Sequence, residues 1–347
     1  MDIEEVKSYL KNYSGKKLTL MEVCGTHTAS ISENGIPSLL SEKIHLVSGP
    51  GCPVCVTVTD YIDRLCELSK EADTCVVTFG DMIRVPGSKG SLANAKAAGG
   101  NVKMVYSPLD TMRLAKENPA VNFVFAAVGF ETTTPVYAVL MDEIIKKDIK
   151  NIRLLTALKT MPPVIEKLCN ERNAVDGFIA PGHVAVITGE KPFAQLAEKY
   201  RLPFVISGFE GEELLCTIYA LAHLQGKGIC KNLYKRAVSP DGNRQAEELV
   251  EKYFEPCNAA WRGLGEIENS GMALKSKFGI YDAGSRNLLK DAASDNGCRC
   301  AEVIAGLKKP GQCPLFGKGC TPENPQGACM VSSEGSCHNY FINNRND

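Results

Sequence analysis

The chain has 347 residues, of which 44% are hydrophobic and 23% are charged, a composition typical of globular proteins. Its formal net charge of −1 provides no positive field that would attract nucleic acid or an anionic membrane. Because no run of about 18 apolar residues occurs and the N-terminal stretch lacks the apolar core of a signal peptide, we expect a cytoplasmic protein without a membrane anchor.

Short apolar runs alternate with amphipathic stretches from about residue 17 to residue 228, a pattern that predicts parallel sheets covered by helices. The candidate strands are residues 17–23, 43–48, 74–79, 102–107, 122–128, 152–158, 177–181 and 203–208. The candidate helices are residues 58–71, 135–148, 190–200, 210–225 and 242–253. Two smaller sheets fit the chain length better than one sheet of eight strands.

We therefore predict an α/β protein with two similar Rossmann-like domains, at residues 1–118 and 119–228, followed by a small Cys-rich domain at residues 229–347. A faint internal echo favours two related halves. "PGCPVCVT" (50–57) is similar to "PGHVAVIT" (181–188), and "GFE" occurs at 129–131 and again at 208–210.

The first candidate site residue is Cys24, in "LMEVCGTHTASI" (20–31), where a strand ends and Gly25 turns the chain into a helix. Ligands of open α/β sheets bind at the carboxyl ends of strands, and a helix N-terminus lowers the pKa of a thiol. His27 could polarise this thiol, or it could be a turn residue that bonds to nearby backbone.

The stretch "SGPGCPVCVT" (48–57) places Cys52 and Cys55 after the second strand, at the same sheet edge as Cys24. A CPxC pattern suits reversible disulfide chemistry, with Cys52 as the exposed attacking thiol and Cys55 as the resolving one. The alternative is half of a structural zinc site.

At the end of another predicted strand, "AVGFETTTP" (127–135) presents Glu131. This carboxylate belongs to a functional site or simply caps a helix. His183, in "APGHVAVITG", follows a strand in the same manner. No glycine-rich nucleotide-binding motif and no nucleophile elbow of a serine hydrolase occurs.

Fifteen cysteines are many for a cytoplasmic protein, in which a disulfide framework is disfavoured. Beyond residue 253 the strand signals fade, and six of the fifteen fall within residues 298–337, at positions 298, 300, 313, 320, 329 and 337. Such a segment needs a staple to hold one shape. No CxxC pair occurs there, so an iron–sulfur cluster is favoured over zinc or a metal-free loop. Spacing does not select which four thiols bind it; Cys300 and Cys329 are one plausible remainder.

Four motifs together resemble the HypD family of [NiFe] hydrogenase maturation factors. They are "MEVCGTHT", "GPGCPVCVT", "GFETTTP" and "CPLFGKGCTPENPQGACMVSSEGSC", and they occur in the expected order over nearly the whole chain. The resemblance implies two α/β domains with a cluster domain. It also implies a metal-centre assembly scaffold with redox activity rather than a conventional turnover enzyme.

The resemblance further implies a stable complex with HypC and a transient one with HypE, the cyanide donor. The cargo would be an Fe(CN)2CO group held by Cys24 together with a HypC cysteine. Cys52 and Cys55 match one redox-active pair, and Cys300 with Cys329 matches a second pair that relays electrons. The [4Fe-4S] ligands would be Cys298, Cys313, Cys320 and Cys337.

Two other functions remain open at the level of sequence. One is a cluster-dependent thiol-disulfide oxidoreductase that acts on a protein disulfide. The other is a zinc-stabilised binding module.

Overall fold

The computed structural model describes residues 2–171, 175–292 and 297–343. Strands and helices alternate along most of these ranges. The strands are β1 (Leu18–Glu22), β2 (Ile44–Ser48), β3 (Thr74–Thr78), β4 (Val102–Met104), β5 (Asn122–Gly129), β6 (Ile152–Lys159), β7 (Gly177–Pro181), β8 (Phe204–Ser207), β9 (Cys230–Asn232), β10 (Phe254–Trp261) and β11 (Gly265–Leu274).

Most of the α-helices are short and have one buried face. They are α1 (Ile3–Lys11), α2 (Gly25–Glu33), α3 (Thr59–Leu68), α4 (Leu92–Ala97), α5 (Asp110–Glu117), α6 (Thr134–Lys146), α7 (Met161–Asn170), α8 (Gly182–Thr188), α9 (Lys191–Tyr200), α10 (Gly211–His223), α11 (Arg244–Tyr253), α12 (Cys300–Ile304), α13 (Ala328–Val331) and α14 (Ser336–Asn343). Four 3-10 helices are Ile36–Leu39, Gly80–Arg84, Ser276–Tyr281 and Pro310–Gln312.

Two sheets form, as the chain length predicts. Sheet A has the order β2-β1-β7-β8-β9 and is parallel throughout. Sheet B has the order β10-β11-β6-β5-β3-β4, in which β3 to β6 are parallel and the β10–β11 hairpin joins β6 in antiparallel fashion. All eight predicted strands are present, and helices cover the predicted helical stretches. The α/β class with two similar, mainly parallel sheets is therefore confirmed.

The two sheets resemble each other in strand order. Numbered by chain order within each sheet, the parallel strands of both begin 2-1-3-4, and sheet A adds a fifth. The short sequence echoes do not explain this similarity. One copy of "GFE" follows the third parallel strand of sheet B, whereas the other follows the fourth strand of sheet A.

Neither predicted α/β segment coincides with one sheet. Sheet A takes β1 and β2 from residues 1–118 and β7 and β8 from residues 119–228; sheet B takes β3 and β4 from the first segment and β5 and β6 from the second. The alternation of strands and helices in the sequence does not indicate whether a strand joins the same sheet as the preceding strand or a different sheet. The boundary at residue 118 is thus not the boundary between the sheets.

The predicted third segment, residues 229–347, also contributes to both sheets. β9 ends sheet A, and the β10–β11 hairpin extends sheet B. The expectation that strands fade after residue 253 is wrong. Pro256 lies in β10, which is an edge strand, and an edge strand tolerates a residue that lacks an N–H donor. The Cys-rich segment proper is residues 297–343.

One hydrophobic core, which we call the central core, joins all three parts of the molecule. It contains Met21 and Phe178 from sheet A, Phe130 and Trp261 from the sheet B side, and Cys329 from the Cys-rich segment. The Cys-rich segment therefore packs where the two sheets meet. Among the described residues, no helix combines the length and the apolar character needed to cross a bilayer.

Candidate thiol and metal site

Cys24 lies at the carboxyl edge of sheet A, where β1 ends and α2 begins. The strands on the two sides of β1 are β2 and β7, so the strand order reverses there, and such a reversal is where open α/β sheets bind ligands. The N–H of Gly25 donates to the carbonyl of Gly51 at 2.9 Å, which joins this turn to the loop that follows β2.

Two carboxylates that the sequence analysis missed flank Cys24. Glu22 is buried and accepts the Cys24 N–H at 2.9 Å and the Thr28 hydroxyl at 2.5 Å. Burial raises the pKa of Glu22 to about 7. Glu334, from the Cys-rich segment, accepts the Thr26 hydroxyl at 3.2 Å. Glu22 stands in the same motif as Cys24, and a carboxylate two residues before a candidate metal-binding thiol was an available signal.

Burial raises the pKa of the Cys24 thiol to about 12, and the charges of Glu22 and Glu334 act in the same direction. The backbone N–H groups of His27 and Thr26 lower the pKa, but by less than burial raises it. The expectation of a lowered pKa at this helix N-terminus is therefore wrong for the metal-free chain. Only 8% of Cys24 is exposed, and desolvation exceeds the effect of the helix terminus.

His27 points away from the thiols. Its Nε2 lies 3.0 Å from the carbonyl of Gly208, and its ring packs on Phe209, whose other contacts include the His183 ring at 3.9 Å between centroids. Burial lowers the pKa of His27 to about 4, so the ring is neutral, with Nε2 as the donor. Its Nδ1 has no partner among the described residues. Gly208 lies 181 residues further along the chain, so this contact is not the bond to nearby backbone that was one of the two predicted roles of His27.

The loop that follows β2, which carries Cys52 and Cys55, contacts the backbone of the Cys24 turn. β1 and β2 are paired in parallel, so both motifs emerge from the same edge of sheet A. A Cβ atom on Gly51 would lie 2.2 Å from the backbone nitrogen of Cys24, so the two backbones are in direct contact. The N–H of Cys55 donates to the Cys52 sulfur at 3.2 Å. Both side chains are buried, which contradicts the expectation that Cys52 is exposed.

A continuous chain of thiol contacts links this loop to the Cys-rich segment. The thiol of Cys329 is within hydrogen-bonding reach of Cys300, Cys337 and Cys55, and Cys300 in turn contacts Cys298. The hydrogen bonds that Cys329 accepts, first from Cys300, then from Cys337 and Cys55, hold its pKa well below the usual range. These hydrogen bonds favour the thiolate form of Cys329, although the residue is only 1% exposed.

The four cysteines that match the family's cluster ligands lie together. Electrostatic interactions couple Cys320 to Cys298 and Cys313, and couple Cys337 to Cys298 and Cys320. The N–H of Gln326 donates to the Cys320 sulfur at 3.4 Å, a hydrogen bond of the kind that stabilises a thiolate ligand. Within the described ranges, no three histidine, cysteine, aspartate or glutamate side chains are grouped so as to hold a single metal ion.

Of the four glycines at positions 311, 317, 319 and 327, Gly327 lies against the thiols. A Cβ on Gly327 would lie 2.8 Å from the Cys298 sulfur and 3.0 Å from the Cys300 Cβ. Gly317 and Gly319 have no such thiol neighbours, and Gly311 faces Tyr340. The donor set of four soft sulfurs with backbone N–H support fits an iron–sulfur cluster.

A small cavity of about 10 Å³ lies between the loop that follows β2, the Cys-rich segment and α2. Its walls include Cys52, Cys55 and Cys329 together with Thr28 and Glu334. This volume holds about one water molecule, so an iron atom with diatomic ligands does not fit there without movement.

Glu131 lies at the carboxyl edge of sheet B and is not among the residues that contact the thiols. Its Oε1 accepts the N–H of Met161 at 2.7 Å, so it caps α7 rather than α6, the helix that follows it in the chain. Its Oε2 is buried and has no partner among the described residues. Burial raises the pKa of Glu131 to about 7.

Comparison with known proteins gives one consistent result. The family model described as "HypD: Hydrogenase formation hypA family" matches residues 2–344. The hydrogenase maturation factor HypD of Rhodobacter capsulatus is 41% identical over 339 residues, which cover 94% of this chain and 89% of the relative. The HypD of Escherichia coli K12 is 38% identical over 347 residues, covering 98% of this chain and 92% of the relative.

Replacement of Gly51 by alanine tests the contact between the two thiol motifs. The new Cβ would lie 2.2 Å from the Cys24 nitrogen, so the backbones must separate, and we expect a loss of about 1–3 kcal/mol of unfolding free energy or more. Gly279→Ala is the matched control, because no atom lies within 4 Å of its Cβ position. Chemical denaturation measures both, and equal stability of the two variants would contradict the contact.

The buried Glu131 carboxyl predicts a pH dependence of stability. Its pKa rises from 4.5 in the unfolded chain to about 7 in the folded one, so the folded state binds the proton more tightly. The unfolding free energy should therefore fall as pH rises from about 4.5 through 7, by up to about 3 kcal/mol. Glu131→Gln keeps the acceptor for Met161 and cannot ionise, so this part of the pH dependence should vanish. Denaturation at several pH values checks this; an unchanged slope, relative to the exposed control Glu248→Gln, would show that Glu131 is not buried as a neutral acid.

Proposed function

Because the chain belongs to the HypD family of hydrogenase maturation factors, we propose that it is the scaffold on which the Fe(CN)2CO group of [NiFe] hydrogenases is assembled. It would act in the cytoplasm in a stable complex with a HypC-type chaperone, while a HypE-type protein donates cyanide. The observation that carries this proposal is the unbroken chain of thiol contacts between the Cys-rich segment and the loop beside Cys24.

The cargo iron would be held by the sulfur of Cys24. A soft thiolate is a suitable ligand for low-spin iron that carries cyanide and carbon monoxide. Since burial raises the pKa of Cys24 to about 12, the protonated thiol is favoured at neutral pH, and a bound metal would displace the proton. Glu22, which accepts the Cys24 N–H, keeps the backbone of this turn fixed while the sulfur changes partner.

The resident cofactor would be a [4Fe-4S] cluster held by Cys298, Cys313, Cys320 and Cys337. Such a cluster supplies electrons one at a time. The electrostatic interactions of Cys320 with Cys298, Cys313 and Cys337 and the N–H donor to Cys320 support this ligand set. The two thiols of the segment that are left over, Cys300 and Cys329, contact each other.

The contacts suggest the order of thiol–disulfide exchange. The Cys329 thiolate would attack the Cys55 sulfur of a Cys52–Cys55 disulfide, and Cys52 would leave as a thiolate and take up a proton. Cys300, deprotonated in turn, would then attack Cys329, which releases Cys55 and forms a Cys300–Cys329 disulfide. Two electrons thereby pass from the Cys300 and Cys329 thiols to the Cys52–Cys55 disulfide, which is the only oxidant that the exchange needs. Cys55, rather than Cys52, is the sulfur in contact with Cys329.

A cluster-dependent thiol-disulfide oxidoreductase would use the same sulfur contacts but would carry no cargo iron. Infrared spectroscopy of the complex purified anaerobically with the HypC-type chaperone separates the two functions. We expect cyanide and carbon monoxide stretching bands in the native complex and their complete loss in Cys24→Ala. Cys216→Ala, a partly exposed thiol on α10, is the control and should keep the bands. If the native complex contains iron but shows neither the cyanide nor the carbon monoxide bands, the oxidoreductase is favoured.

A second experiment distinguishes the role of the cluster ligands from the role of the exchanging thiols. Cys313→Ala should reduce the iron content from about four atoms per chain to nearly none and abolish the visible absorption of the cluster. Cys52→Ala should leave that absorption unchanged but abolish hydrogenase maturation, since it removes one sulfur of the exchanging disulfide. Iron and sulfide analysis and an anaerobic spectrum measure these effects, with Cys66→Ala as the control. Normal maturation by Cys52→Ala would refute the exchange step.

A further inference from the structure

A groove of about 820 Å³, here called the β2 groove, runs between β2 and the Cys-rich segment. One wall is formed by β2 itself, and the other by residues 306–312 and by α14. Its volume lies within the range of ligand clefts in proteins. The five residues of β2 give it a length of about 17 Å along the strand.

The strand wall of this groove is an unpaired sheet edge. β2 is the outermost strand of sheet A and pairs only with β1. The Lys43 carbonyl accepts from Leu18 and the Gly49 N–H donates to Glu22, so alternate residues from 43 to 49 face β1. Leu46 lies between them and directs its N–H and carbonyl outward, where no described residue bonds to either group. A free edge of this kind is the surface that accepts an added strand.

The opposite wall provides apolar surface for side chains of an added strand. Leu307 is 65% exposed and Tyr340 is 38% exposed, and both line the groove. Val303, which belongs to the central core, lies below them. Large exposed apolar side chains beside a free strand edge are typical of a protein-binding site rather than of a small-ligand pocket.

The charge of the groove favours an acidic occupant. Lys17 and Lys309 are exposed and lie close enough to His45 that their charges lower its pKa, together with the larger effect of its burial. A third lysine, Lys308, also lines the groove but pairs with Glu302 at 2.5 Å. Among the exposed described residues of the lining, Glu42 is the one carboxylate.

The inner end of the groove reaches the surroundings of Cys24. Glu22, Thr28 and Ser48 line this end, and the first two are hydrogen-bonded to each other and to the Cys24 turn. A segment bound along β2 would therefore end beside Glu22, which accepts the Cys24 N–H.

We propose that the β2 groove binds an extended, acidic segment of the partner chaperone, which adds to sheet A as a sixth strand along β2. This inference rests on the proposed function, because the chaperone is the partner that must reach Cys24. Main-chain hydrogen bonds to Leu46 would set the register, and Lys17 and Lys309 would select a negatively charged segment.

Hydrogen exchange of the full-length chain, alone and with its HypC-type chaperone, tests the proposal. The Leu46 amide should exchange readily in the free chain and at least about tenfold more slowly in the complex. Leu46→Pro removes the outward N–H without removing a bond to β1, and an edge strand tolerates proline there. We expect about tenfold weaker binding of the chaperone, whereas Leu46→Val, which keeps the N–H, should bind within about twofold of the native chain.

Charge reversal is a second test that does not depend on the fold of the proline variant. Lys17→Glu with Lys309→Glu should weaken binding about tenfold at low salt and much less at high salt, whereas Lys116→Glu, on the exposed face of α5, should have no effect. An intact complex with an unprotected Leu46 amide would overturn the docking site but leave the proposed function standing. If no complex with the chaperone forms, both the docking site and the proposed function are overturned. If two copies of this chain pair through β2 without the chaperone, the chaperone segment is not the occupant of the groove.

Discussion

The burial of the thiols, most of them in the central core, is the constraint on which the rest of the site depends. Two sheets and the Cys-rich segment close around these sulfurs, and water is largely excluded. In such surroundings a thiol keeps its proton unless a hydrogen-bond donor or a metal stabilises the thiolate. The neighbours of each sulfur, rather than its exposure, therefore decide its chemistry.

Cys24 and Cys329 illustrate the two outcomes of this constraint. Burial raises the pKa of Cys24 and the carboxylates beside it act in the same direction, so this thiol is suited to bind a metal that displaces the proton. Cys329 accepts hydrogen bonds from three other thiols, and its pKa is lowered, so it is suited to attack a disulfide. The turn at the carboxyl edge of sheet A and the Cys-rich segment thus provide sulfur environments that shift thiol pKa values in opposite directions.

Local sequence pattern predicted the strands well, because alternation of apolar runs and amphipathic stretches depends on neighbours along the chain. The local pattern could not predict which strands share a sheet. β2 and β7 are more than a hundred residues apart in the chain, yet both pair with β1. The β10–β11 hairpin was missed for a related reason. Its strands contain proline, glycine and asparagine, and only packing against β6 compensates for their weak strand propensity.

The sequence by itself determined the α/β class, the strands whose carboxyl ends carry Cys24 and the Cys52–Cys55 pair, and the concentration of six cysteines near the C-terminus. The tertiary structure alone decided that Cys329 contacts Cys55, that the His27 ring points to Gly208, and that the Cys24 pKa is raised. The physical reason is that residue type and spacing are local properties of the chain. Desolvation and side-chain contacts arise only when distant segments meet.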